Sequence, residues 1–410
     1  MEEQIQQCEQ EQYVQEKTVQ TNAPDSKKSK ISGTTLVMLL TLGVLVLWLC
    51  ILLIFRTNSA VCERICRTLV NAYVSVAGRF YSVVNFNVFE VLATLCVICV
   101  IGGIVASIVL FCKKYGVYSR RVLIVIGIAA VWIANLYVFV AGFAYNRERA
   151  PIPVYESATT DTQTAVNTYV AAIEDFNSTV EQLGTYPDGR AICPYTDKQL
   201  REVIRDAYER LVTDDYYFDY TAKAKPVISS GIMASFGIMG ISFVPTAEAG
   251  YNKDMPMVEK AATIAHEFAH IHGVMREDEA NALAAYVLLN SGDPYLKYSF
   301  YLDNMGFLFT FICYNVDPNY YTLNYPTHSA YRIENEYCRT WWNEHDFMTA
   351  VGNFFNDLYL KLQGQEDGTG SYVELPEIDG EETVDEEGNV VINYHIMYNT
   401  IQRIVLDYYN

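Results

Sequence analysis

Positive charge is scarce in this chain. Its 410 residues hold 29 Lys and Arg against 48 Asp and Glu, a formal net charge of −19. Nucleic-acid surfaces select the opposite balance, so that class of partner is excluded. Histidine is scarcer still, with six in all. The ten cysteines form no disulfide framework. Cys50, Cys96, Cys99 and Cys112 lie in apolar runs, where a thiol behaves as a small hydrophobe. Cys62 and Cys66 stand one helical turn apart with no second pair, and Cys193, Cys313 and Cys338 allow at most one bridge in the soluble part. No internal repeat recurs. A hydrophobic content of 51% with 13% aromatics excludes a wholly disordered chain.

Long apolar runs are present. Residues 1–30 are polar, rich in Gln and Glu, and read as a disordered tail. Residues 31–55 are uncharged and exceed the ~20 apolar residues that a bilayer crossing needs. The run is too long and its polar preface too extended for a signal peptide, which points to an uncleaved anchor. A second span is expected over 87–112, interrupted only by Glu90, and a third over 122–145. Helical spacing of Val, Leu and Phe in the intervening 56–86 segment suggests an interfacial helix. Basic residues set orientation. One side carries Lys27, Lys28, Lys30, Lys113, Lys114, Arg120 and Arg121; the other carries Arg56, Arg64, Arg67, Arg79, Arg147 and Arg149. The dense cluster in the short second loop favours an inside N-terminus, and so a multi-pass protein of the cell membrane whose C-terminal domain is extracytoplasmic.

The membrane region therefore spans 31–147, and 148–410 form one soluble α+β domain, mostly helical with a small sheet. Apolar spacing predicts helices over 157–185, 197–213, 280–290, 295–315, 339–362 and 396–409. Gly231, Gly237, Gly240 and Pro245 break the apolar run 226–252 into short strands, one of which could form a sheet edge able to pair with an extended peptide. Residues 374–387 hold eight acids without Lys or Arg, and an acidic hairpin is expected near 374–392.

The chemistry concentrates in His266-Glu267-Phe268-Ala269-His270, an HExxH motif flanked by Ala, Ile and Phe. On a helix, residues four apart stack on one face, so His266 and His270 address one point while Glu267 reaches a water held there. Two His and one carboxylate around an open position make a catalytic zinc site. Gly273 lets the chain leave the helix, and Glu277, Asp278 and Glu279 arrive a few residues later as sources of a third ligand. Glu277-Asp278-Glu279-Ala280-Asn281 resembles the pattern of thermolysin-like and HtpX-type membrane proteases, in which Asp follows the ligand Glu by four and supports a ligand His. The resemblance implies Glu277 as ligand, Asn281 in the Asp position, and Glu279 as the fallback. A metzincin is excluded, because its third His would fall at Arg276; His272 then reads as a surface or core histidine.

Gly240 to Ala249, the HEFAH helix, Arg276 to Asn281, Asn356 to Lys361, Asp367-Gly368 and Ser371-Tyr372 together resemble a bacterial family of multi-span membrane proteins that carry an HExxH domain and have no assigned function. That resemblance, covering the spans and most of 150–372, implies a membrane-anchored zincin of gluzincin type. It supplies no substrate. The activity implied is zinc metallopeptidase, with Zn2+ on His266, His270 and Glu277, Glu267 as general base, and a peptide or protein as substrate. By analogy with the Tyr or His of thermolysin-like enzymes, His328, Asp357, Tyr359 and Lys361 enter as transition-state donors or supporting partners. The rivals are a membrane sensor whose zincin domain acts on one dedicated partner, and an inactive metal-bound scaffold. Oligomeric state is not legible.

Overall fold

The computed structural model describes residues 32–384 and 388–410. The polar tail expected over 1–30 and the hairpin tip at 385–387 lie outside the described residues. The first helix, α1 (Gly33–Phe55), is followed by α2 (Ser59–Ile65) and α3 (Asn71–Tyr81), joined through a π-helical turn at Cys66–Val70. Then come α4 (Val88–Cys112) and α5 (Gly116–Tyr137), the latter continuing in irregular helical turns to Asn146. Helices α1, α4 and α5 are each long and apolar enough to cross a membrane, and little of their surface is covered by protein. Among the described residues these three helices mark a membrane protein. The segment between α1 and α4 differs from a free interfacial helix: Cys62, Cys66, Val70 and Val74 are buried, and Tyr73 donates to the Pro245 carbonyl at 2.7 Å.

The rest is mostly helical with two small sheets. Helices α6 (Thr162–Leu183) and α7 (Asp197–Leu211) precede β1 (Ala224–Val227), the short α8 (Ser230–Ser235), β2 (Gly240–Phe243) and β3 (Glu248–Asn252). Thr196 and Gln199 form a reciprocal capping box that fixes the start of α7. Sheet order is β1-β3-β2, with β1 parallel and β2 antiparallel to β3, so β2 is an edge strand. Next come α9 (Met257–Ile271), α10 (Glu277–Asn290), α11 (Pro294–Cys313) and α12 (Pro318–Asn324). The single helix expected over 339–362 is instead two, α13 (Ala330–His345) and α14 (Thr349–Leu362). The chain bends between them because Met348 gives its N–H to the Ser235 carbonyl at 2.7 Å rather than to a helical partner. Strands β4 (Glu377–Val384) and β5 (Val390–Met397) form the exposed acidic hairpin, and α15 (Thr400–Tyr409) closes the domain against α6 and α10.

Spans and domain are joined by buried polar contacts. The Glu248 carboxylate accepts from the Val88 and Phe89 N–H groups at 2.9 and 2.8 Å, where the N-terminus of α4 concentrates positive potential. Lys225 and Thr246 complete its shell at 2.5 and 2.8 Å. Glu90, the one acid in this span, accepts from Ile228 and Ser229 N–H at 2.8 and 2.7 Å. That bonding accounts for a carboxylate in an otherwise apolar run. Among the described residues every cysteine is free.

Candidate metal centre

Helix α9 packs across β2 and β3, buried along most of its length. Its end is set by Gly273, whose φ of 88° suits glycine. A Cβ there would also meet Arg147 Nη1 at 2.7 Å and Phe218 at 2.8 Å. This tight exit brings α10 back against α9 within a few residues. His266, His270 and Glu277 thereby present ligand atoms that all lie within 4.8 Å of one another.

The ring nitrogens explain what this point accepts. His266 Nδ1 lies 2.7 Å from Asn281 Oδ1, and His270 Nδ1 lies 2.8 Å from the Val274 carbonyl. Asn281 gives its own amide to the Tyr372 carbonyl at 2.8 Å, which orients its oxygen toward His266. Both imidazoles therefore carry a proton on Nδ1 and, when neutral, turn an Nε2 lone pair inward. These Nε2 atoms stand 3.2 and 3.5 Å from Glu277 Oε2, which is buried and has no hydrogen-bond partner. Two lone pairs and a carboxylate oxygen converging without a donor fit a cation. Burial pushes the Glu277 carboxyl up, but the two imidazoles outweigh it and hold it at about 2. Burial opposes charge on His270 as well, yet Glu277 raises it to about 9, so positive charge is favoured from both sides.

Glu267 is buried next to this cluster, and its Oε2 has no partner. Burial raises its carboxyl above the usual range, with the two imidazoles acting in the other direction. Edge strand β2 lies directly on it: a Cβ on Gly240 would sit 2.3 Å from Glu267 Oε1, and Ser242 Oγ donates to the Glu267 carbonyl at 2.8 Å. Asn252 N–H bonds to Met239 O at 2.8 Å, so by alternation Gly240 and Ser242 turn their backbone groups to the free edge.

The other expected residues separate. Glu279 turns away from the cluster to Arg276 and Arg149, at 2.8 and 3.1 Å. His272 is a core residue: it is buried, stacks on Tyr208, and burial lowers it to about 4. His328 lies elsewhere, accepting from Ala330 N–H at 3.1 Å at the start of α13. Lys361 pairs with Asp357 at 2.8 Å, and Asp357 accepts from Thr369 N–H at 3.2 Å. Asp357 thus holds the turn Gly368–Tyr372. Tyr359 donates to or accepts from Tyr137 and Tyr145, both on the extended third span.

Tyr372 is the neighbour that sequence reasoning missed. Its ring stacks on His266 with centroids 6.3 Å apart, and Asn356 donates to its hydroxyl at 3.3 Å. Burial, with Glu277 and Glu267 adding to it, raises its phenol. Ser371-Tyr372 entered only as part of a family resemblance, with no role at the site, because Tyr372 reaches it through the turn that Asp357 holds.

Residues 66–378 match a family described as a protein of unknown function, DUF3810. No curated protein and no solved structure matches the chain.

Proposed function

The chain belongs to the DUF3810 family, and we propose that it is a membrane-anchored zinc metallopeptidase. The observation that carries this is the donor set: His266, His270 and Glu277 converge with Nδ1 of both rings committed elsewhere, and Glu267 stands free beside them. Zinc in such a site acidifies a bound water and polarises a carbonyl. Glu267 takes a proton from water and delivers it to the leaving amine; its raised carboxyl suits both steps. The open edge of β2 pairs with an extended peptide and lays the scissile bond across Glu267. Asn281 and the Val274 carbonyl keep the two imidazoles in one tautomer.

Orientation follows from the same spans. Arg67, Arg147 and Arg149 on the domain side pair with carboxylates, and Arg56 with the Gln363 carbonyl. Among the described residues Lys113, Lys114, Arg120 and Arg121 have no carboxylate partner. On the domain side Arg64 and Arg79 also lack one, and the denser run of unneutralised basic residues in the short loop supports an inside N-terminus and an extracytoplasmic domain.

The test is the metal content of the full chain purified in detergent and exposed to zinc. About one zinc per chain is expected, lost in Glu277→Ala and kept in Glu279→Ala. Zinc absent from the wild type sinks the proposal; loss in Glu279→Ala alone moves the third ligand. Once a cleaved peptide is found by library screening, Gly240→Ala should retain zinc and lose roughly 10²-fold in kcat. The new methyl displaces the Glu267 carboxylate, and a misplacement of ~1 Å carries a cost of that size. Unchanged kcat would separate β2 from the chemistry.

A further inference from the structure

We propose that α14, with the loop before it, is a fourth membrane contact: an amphipathic helix lying in the headgroup–acyl boundary beside the three spans. Val351, Phe354, Phe355, Leu358 and Leu362 fall within an arc of about 100° at helical spacing. All are exposed, Phe354 by 65% and Leu362 by 69%, and Phe347 just before the helix by 82%. No charge interrupts the stripe. Lys361 and Asp357 flank it, paired with each other at 2.8 Å. The opposite face is seated on protein: Leu360 is buried, and Gly352 approaches Phe236 so closely that a Cβ would lie 2.2 Å from its carbonyl oxygen. The apolar stripe is thus held outward by a fixed packing.

What covers it follows from how the helix is attached. At its C-terminal end, Arg56, the residue after α1, donates to Gln363 O at 2.6 Å. In its last turn, Tyr359 bonds to Tyr137 and Tyr145 of the third span. At its N-terminal end, the Met348–Ser235 bond ties it to α8, where Ile232 and, just before the helix, Ile228 are each 64% exposed. Ile228 is in turn held by Glu90 in the first turn of α4. The exposed patch is therefore pinned to the domain-side ends of all three spans, whose own surfaces are apolar and bare. At that level the occupant is the bilayer. With a net charge of −19 the attachment is by apolar insertion, since anionic headgroups repel the protein.

Helix α14 also carries Asn356 and Asp357, which hold Tyr372 against His266. Resting on the metallopeptidase proposal, this places the cleft at the bilayer surface, where it would cut membrane-anchored chains close to their point of exit. The insertion of the helix stands apart from that activity.

The test replaces Phe355, Val97 or Glu181 singly by benzoylphenylalanine in the full chain, reconstituted into phosphatidylcholine–phosphatidylglycerol nanodiscs. Val97 faces outward on α4, and Glu181 is exposed on α6. Irradiation should give a phospholipid adduct at Phe355 comparable to that at Val97 and none at Glu181, unchanged in a His266→Ala background. A covalent dimer of the chain as the main product at Phe355, or no adduct above Glu181, overturns the proposal. A lipid adduct at Phe355 in a protein that hydrolyses no peptide supports the insertion and removes only the substrate class.

Discussion

Replacing Glu267 by Gln is expected to lower peptide hydrolysis by roughly 10²–10⁴-fold, the usual contribution of a positioned general base, while zinc stays at about one per chain. The expectation rests on how little else that carboxylate does. Its Oε2 has no hydrogen-bond partner, so no structural bond is lost with the charge. Gln has the same length and fits the space beside Gly240 that admits no added methyl. The bond from Ser242 goes to the Glu267 backbone carbonyl and survives the change. What disappears is a proton acceptor with a raised pKa next to the cation point. The full-length variant in detergent, assayed for bound zinc and for cleavage of a screened peptide, separates the outcomes. Full activity would remove Glu267 from the mechanism. Loss of zinc together with activity would mean that the carboxylate holds the site together, whereas the inactive-scaffold rival predicts that Glu267→Gln changes nothing.

Much of this site lies in a few consecutive residues, which is why it was legible. His266 and His270 share a helix, so their convergence follows from 3.6-residue periodicity alone. Glu277 was reachable because one glycine at φ 88° turns the chain back within the span of a single loop. The choice between Glu277 and Glu279 needed more than spacing. In the structure Arg276 and Arg149 draw Glu279 aside, while Glu277 faces the two histidines. Tyr372 and Gly240 were not legible as site residues, since each arrives from a separate element by tertiary packing. The spans were legible from uninterrupted apolar runs, but the role of 59–81 was not. Its buried Cys62, Cys66, Val70 and Val74 carry the pattern of any amphipathic helix, and a pattern does not distinguish a membrane surface from a protein partner. The break between α13 and α14 had no proline to announce it. It depends on a backbone bond from Met348 to the distant Ser235.

Arg147→Ala should destabilise the full chain by about 3–5 kcal/mol, the cost of stranding a buried charge. Arg147 follows the third span and is completely buried. Its Nε and Nη2 bond to the two carboxylate oxygens of Glu63 at 2.9 and 3.0 Å, Nη2 reaches the Tyr216 carbonyl at 2.6 Å, and the guanidinium lies 3.7 Å from the Tyr216 ring centroid. Removing it leaves Glu63 with Arg67 alone and opens a void over Gly273, against which Nη1 packs. The same contact therefore joins α2, the end of the third span and the turn that delivers Glu277. Thermal unfolding in detergent should fall on the order of 10 °C, and zinc affinity should weaken with it although Arg147 touches no ligand. Glu63→Met with Arg147→Met tests the cause. Replacing both charges by apolar side chains removes the stranded carboxylate, so most of the lost stability should return. If the double variant is as unstable as Arg147→Ala, the bonds to Tyr216 and the packing on Gly273, rather than the pairing with Glu63, fasten the membrane spans to the metal site.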